Sequence, residues 1–273
     1  MPNILERLDK TLEFIRSRSA TRPQIGIVLG SGLSNFIQDI DIETELAYDS
    51  IPFFPVSTVE GHHGKLVIGQ MDGKTVVVMS GRFHFYEGYT PQDVAYPVRV
   101  MKEMGVGTLL ISNAAGGLNP LFKVGDLMII QDHISLFINN PLLGKNEPSL
   151  GERFPDMSEP YALDLIGKME GIAGKKGIPL QKGVYAGVTG PTFETRAEYR
   201  MLHRLGGDAV GMSTVQEVIV ARHAGIKVFA MSVITDMGIR DELNTITHEE
   251  VLQAASEAEP KLTGLFRELI LTL

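Results

Sequence analysis

Apolar positions recur at two spacings along the chain. Ile4, Leu5, Leu8, Leu12 and Ile15 fall at helical intervals and predict an opening amphipathic helix that ends near Arg22-Pro23. Ile25-Gly26-Ile27-Val28-Leu29 then forms a short continuous apolar run stopped by Gly30-Ser31-Gly32, the pattern of a buried strand feeding a tight loop. Similar runs recur at Val76-Met79, Leu109-Ser112, Leu127-Ile130 and Val228-Ile234. Helical patterns lie at Pro91-Met104, Leu163-Lys176, Arg196-Leu205 and Val215-Ala224, each closing near a glycine. From Thr247 onward Val251, Leu252, Leu262, Leu265, Leu269 and Ile270 form the apolar stripe of a last helix, which Pro260 is expected to bend or interrupt. Strands alternating with helices predict an α/β fold, a mixed, mostly parallel sheet flanked by helices, with ligands bound at the loops.

No linker-like stretch divides the 273 residues, so the chain reads as a single domain over 1–273. Asn139 to Pro160, rich in Pro, Gly and Asn, reads as a functional or interface loop. A hydrophobic content of 44% against 21% charged is enough for a large core. The absence of cysteine removes disulfides, zinc-thiolate sites and thiol nucleophiles. Glu6, Arg7, Asp9 and Lys10 break up the first apolar segment, and no apolar run approaches bilayer length, so neither export nor a membrane partner is expected and the expected setting is cytoplasmic. A net charge of −8 disfavours a nucleic-acid partner and leaves any small anion to a local site.

Several loops carry candidate chemistry. Gly30-Ser31-Gly32 can bring backbone N–H groups and a hydroxyl to an anion, or can be a plain turn. Asn35 breaks the dinucleotide fingerprint, and Leu29 and Leu33 stand where a serine-hydrolase elbow needs glycine. In Gly81-Arg82-Phe83-His84-Phe85-Tyr86-Glu87-Gly88-Tyr89, an extended chain would point Arg82, His84 and Tyr86 to one side, a fork and an imidazole for phosphate; the alternative is a solvated edge strand. Arg82 is expected to be an accessible anion ligand that contributes little to folding. Gly61-His62-His63-Gly64 lacks partners for a metal and better fits a loop histidine that reaches an anion or stays at the surface. His203 and His223 read as surface or last-turn residues, and Asp132-His133 as a structural hydrogen bond.

Ser112-Asn113-Ala114-Ala115-Gly116-Gly117 leaves a strand through small residues that allow close approach of a ligand. Phe193-Glu194 offers a stacking face beside an acceptor, as a flat heterocycle requires, although a glutamate there could equally serve a helix N-terminus. Ser213, in Gly211-Met212-Ser213-Thr214, precedes a helix and could meet an anion or simply cap.

Taken in order, these segments resemble the trimeric purine nucleoside phosphorylases from about Ile25 to Glu250, together with Pro55-Val56-Ser57-Thr58-Val59, Arg153-Phe154-Pro155 and His248-Glu249-Glu250. The resemblance implies that phosphate is held by Ser31, Arg82, His84, Ser213 and the Ala114 N–H, with His62 beside it. It implies ribose contacts from Tyr86, Met212 and His248, and a base site of Phe193, Glu194, Val210 and Asp236. Phe154 would enter a neighbouring subunit's site in a homotrimer. His84, Glu194 and Asp236 are the implied catalytic groups; phosphate is a co-substrate, and neither an organic cofactor nor a metal is required. The reaction implied is phosphorolysis of purine nucleosides or deoxynucleosides to free base and pentose 1-phosphate.

One departure bears on specificity. Family members that prefer inosine and guanosine carry Asn where this chain has Asp236, and related methylthioadenosine phosphorylases carry Asp but lack the counterpart of Glu194. Two acids around one base can share a proton, one kept neutral to donate to the departing N7. The expectation is a 6-oxopurine preference with appreciable adenosine activity. A methylthioadenosine phosphorylase and a non-catalytic purine-binding protein are the alternatives. Gln216 replaces a common proline, and Ser34 and His63 replace Gly and Ala, with small local effects expected.

Overall fold

A computed structural model describes residues 2–56, 64–136, 138–239 and 246–273. The first helix, α1 (Ile4–Arg16), is capped by Asn3 in a reciprocal box with Glu6 and buries Leu8, Leu12 and Ile15. It ends one to two turns before the expected Arg22-Pro23, because Ser17 already closes the helix with a bond to the Glu13 carbonyl. Strand β1 (Ile25–Val28) is wholly buried, and an irregular half follows: β2 (Asp41–Ala47), β3 (Lys65–Met71) and β4 (Lys74–Ser80). The predicted helix over Pro91-Met104 is two pieces, α2 (Pro91–Val94) and α3 (Tyr96–Met104), broken at Ala95, where Pro97 removes a backbone donor.

Next come β5 (Thr108–Gly117), β6 (Leu127–Ile134), α4 (Leu163–Lys176), β7 (Gln181–Gly187) and α5 (Arg196–Arg204). Then β8 (Ala209–Gly211), α6 (Val215–His223), β9 (Lys227–Met237) and α7 (His248–Leu271) complete the chain. The last helix runs uninterrupted through Pro260. Its buried stripe extends from Val251 through Ala258 on one side of the proline and from Leu262 to Ile270 on the other, and that packing outweighs one lost backbone bond.

The nine strands of the described residues form one sheet in the order β2-β3-β4-β1-β5-β8-β7-β6-β9, with β9 also paired to β5, so its second half closes on itself. The sheet is mixed. β4, β1, β5 and β9 run parallel, whereas β2, β3 and the β5–β8 and β6–β9 pairs introduce antiparallel ladders. The C-terminal ends of β4, β1, β5 and β9 therefore share one edge, where parallel sheets place their ligands. α1, α3 and α6 pack as one group, and α4 and α7 pack on each other and on β9. Among the described residues no helix is long and apolar enough to cross a membrane.

Candidate active site

At that edge lies a cavity of about 290 Å³. Each parallel strand delivers a short segment to it: Ser31 follows β1, Arg82, His84 and Tyr86 follow β4, Asn113 to Gly116 end β5, and Thr235 and Asp236 end β9. Val210 to Ser213 come from β8 and the turn after it, Phe193 and Glu194 from the approach to α5, and His248 from the first turn of α7. The described residues expected to hold phosphate, ribose and base thus share one cavity, apart from Phe154. That side chain is 85% exposed and lines a separate groove with His133, Leu143 and Arg153. His62 and His63 lie outside the described residues. Among the described residues no three His, Cys, Asp or Glu side chains are arranged to hold a metal ion.

Close backbone approach builds the end of the cavity that holds Ser31, Arg82 and Ser213. A Cβ on Gly30 would lie 2.8 Å from the Asn113 Cα and 2.9 Å from the Ser112 carbonyl, so glycine lets the Ser31 loop lie against β5. Arg82, only 1% exposed, is not the accessible residue expected. Its Nε donates to Glu217 Oε1 at 3.1 Å, and its Nη1 donates to the Ser112 carbonyl at 2.9 Å and to Ser213 Oγ at 3.2 Å. The guanidinium is thereby fixed in plane before any ligand arrives.

Ser213 does not cap α6. The chain turns beneath it through Thr214, at φ 71° and ψ −51°, and the Val215 N–H donates back to the Ser213 carbonyl at 2.7 Å. This is a γ-turn of the strained, positive-φ kind on a β-branched residue. Asn113 Nδ2 holds it by donating to Thr214 Oγ1 at 2.8 Å. Backbone strain kept in place by surrounding contacts is a feature of functional sites.

The Arg82-to-Tyr86 segment is not an extended strand. β4 ends at Ser80, and Phe85–Glu87 form a 3-10 turn capped from His84, which stacks the His84 and Tyr86 rings at 4.7 Å and 15°. Glu87 Oε1 accepts from the His84 backbone N–H at 2.7 Å and lies 3.2 Å from its Nδ1. Burial holds the imidazole below its ordinary pKa, while Glu87 acts in the opposite sense. A neutral ring with Nδ1–H turned to Glu87 presents Nε2 as an acceptor for a protonated oxyanion.

The other end is acidic and apolar. In the sheet, Gly116 lies between Val210 of β8 and Asp236 of β9; a Cβ there would meet Asp236 Oδ2 at 3.0 Å and Val210 Cγ1 at 3.4 Å. Asp236 is 6% exposed and accepts from Thr235 Oγ1 at 3.2 Å. Burial raises the pKa of the Glu194 carboxyl, a hydrogen bond from Tyr199 works against this, and the nearby Asp236 charge adds to the rise. Two carboxylates that sense each other, one with raised affinity for a proton, fit a group that both accepts from and donates to a heterocycle.

Sequence reasoning missed Glu217, the strained Thr214 and Tyr185, whose hydroxyl accepts from the Ser213 N–H at 3.3 Å. Glu217 lies 135 positions from its partner Arg82, and no local pattern marks such a pairing. His223 does stand in the last turn of α6, as one of the two sequence readings had it, but not at the surface: the side chain is 7% exposed and packed against Gly151. His133 does make a structural contact, its Nδ1 3.1 Å from the Tyr161 hydroxyl.

Residues 24–271 match the family model described as the Phosphorylase superfamily. The chain is 49% identical to purine nucleoside phosphorylase 1 of Bacillus subtilis, over 97% of this chain and 98% of the relative. It is 48% identical to the Rattus norvegicus purine nucleoside phosphorylase, over 94% and 91% respectively. Among solved structures, Schistosoma mansoni purine nucleoside phosphorylase in complex with adenosine superposes with a TM-score of 0.94 at 41% identity, covering 98% of both chains. A schistosomal purine nucleoside phosphorylase in complex with hypoxanthine gives a TM-score of 0.94 at 40% identity, covering 100% of this chain and 99% of the other. The full-length agreement in sequence and fold establishes that the chain belongs to the purine nucleoside phosphorylases of the phosphorylase superfamily.

Proposed function

We propose that the chain catalyses phosphorolysis of purine nucleosides in the cavity at the strand ends, with inosine and guanosine preferred and adenosine also accepted. The observation that carries this reading is the meeting of Ser31, Arg82, His84 and Ser213 with Glu194 and Asp236 around one 290 Å³ space. Phosphate sits at the cationic end against the Ala114 N–H. Tyr86, Met212 and His248 contact the ribose, and Phe193 and Val210 flank the base.

The chemistry follows from where charge develops. As the C1′–N9 bond lengthens, the sugar becomes cationic and the purine anionic, and the site holds an anion below the former and a proton near the latter. A phosphate oxygen forms the new bond to C1′, N9 leaves with the electron pair, and the proton shared by Glu194 and Asp236 passes to N7. The proton that phosphate loses on becoming an ester restores the pair through solvent. No covalent enzyme intermediate, organic cofactor or metal enters these steps.

Glu194 accepts from the N1–H of a 6-oxopurine, and Asp236 accepts from the 6-amino group of adenine. Phe154, exposed on a loop outside the cavity, completes the site of a neighbouring subunit in a homotrimer. Steady-state rates on inosine, guanosine, adenosine and methylthioadenosine test the specificity: 6-oxopurine nucleosides come first and adenosine is clearly turned over. A preference for methylthioadenosine, or for adenosine by orders of magnitude, overturns it. Light scattering that finds a monomer fully active would overturn the role of Phe154.

A further inference from the structure

A buried carboxylate outside the cavity lining ties the Ser31 loop to the last helix. Glu259, 4% exposed in the middle of α7, accepts from the Asn35 backbone N–H and from Asn35 Nδ2, each at 2.7 Å. Asn35 is in the 3-10 turn Ser34–Asp39, which follows Ser31 after Gly32 and Leu33 and has no side-chain cap of its own. Two further contacts join the same pieces. The Phe36 and Phe266 rings meet edge to face at 6.4 Å, and a Cβ on Gly32 would lie 2.8 Å from the Ala255 Cβ and 3.1 Å from the Leu252 carbonyl.

We infer that Glu259 is a positioning residue for phosphate: through Asn35 it holds the Ser31 loop at a fixed height between β5 and α7. The inference rests on the proposed placement of phosphate at Ser31. Gly30 presses one side of the loop on β5, where its N–H also donates to Ser112 Oγ at 3.3 Å, whereas Gly32 presses the other side on α7 through a steric contact that has no direction along the helix. The paired bonds to one carboxylate are directional, and they fix the register. α7 also brings Val251 and His248 to the cavity, so the same link sets the distance between the phosphate and ribose ends.

The test compares Glu259→Ala, Glu259→Gln and Ser31→Ala with Ile15→Ala, a core substitution on α1, measuring Tm and the separate KM values for phosphate and inosine. Loss of two bonds to a charged acceptor is expected to raise the phosphate KM about tenfold in Glu259→Ala. The inosine KM should stay within about twofold, since the base and ribose contacts are intact. Glu259→Gln keeps one acceptor oxygen and should fall between wild type and Glu259→Ala. Ile15→Ala should lower Tm without moving the phosphate KM. An unchanged phosphate KM in Glu259→Ala while Ser31→Ala raises it, or an equal rise in Ile15→Ala, would overturn the inference. An unchanged phosphate KM in Ser31→Ala would overturn the underlying reading as well.

Discussion

Arg82 and Glu217 form an ion pair, Nε to Oε1 at 3.1 Å, with side chains only 2% and 4% exposed. The cation proposed to grip phosphate is therefore part of the folded core before substrate arrives. Removing it strands a carboxylate away from water, a change that costs about 3–5 kcal/mol in buried pairs. Arg82→Ala should lose both activity and several degrees of Tm, contrary to the sequence-based expectation that turnover falls much more than stability. Replacing both partners, as in Arg82→Met with Glu217→Leu, should recover much of the stability and none of the turnover. Thermal melts and phosphate-dependent rates on the three proteins check this.

Thr214 supplies a test of stored strain. Thr214→Ala and Thr214→Gly both lose the bond from Asn113 Nδ2, but only glycine accepts φ 71° without penalty. The glycine variant should therefore be the more stable by about 1 kcal/mol. Urea denaturation that ranks alanine equal or higher would show that the turn has relaxed.

Gly30→Ala forces a Cβ onto backbone atoms of Ser112 and Asn113, which have no flexible side chain to yield. The expected cost is about 1–3 kcal/mol of stability, together with a raised phosphate KM as the Ser31 loop lifts from β5. Gly73→Ala is the control for backbone strain without a steric clash: a Cβ there meets nothing within 4 Å, and the residue has a positive φ of 79° that Gly30 does not share. It should lose stability and leave the phosphate KM alone.

Two opposite pH dependences are built in. Burial lowers the pKa values of His84 and His133 from 6.5, so the fold holds them neutral. The stability this gives is present above 6.5 and is lost as pH falls toward their folded values, so Tm should drop as pH is lowered below about 6.5. For Glu194 the folded pKa is raised from 4.5, so its contribution is complete below 4.5 and fades as pH rises through the folded value. Turnover of inosine should fall on the same alkaline side as the Glu194–Asp236 pair loses its proton. Asp236→Asn, whose amide donates at any pH, should flatten that limb and lower adenosine activity about tenfold or more.

Legibility in the sequence followed burial. β1, β5 and β9 announce themselves because both faces are covered and their residues are almost continuously apolar. β2 buries only Leu46 and reads as polar chain, and the three residues of β8 are a strand only because β5 and β7 pair with them. Site residues were legible where glycine or serine follows a strand, since that chemistry is local. Glu217, Glu259 and the turn at Thr214 act through partners distant in sequence or through a backbone angle, and neither leaves a pattern to read.

The most direct test is the release of hypoxanthine from inosine, titrated with inorganic phosphate, with both sugar products assayed. Saturable dependence on phosphate, one ribose 1-phosphate formed per base, and collapse of that dependence in Ser31→Ala are the predicted results. Base release at the same rate without phosphate, with free ribose as the product, would contradict the account.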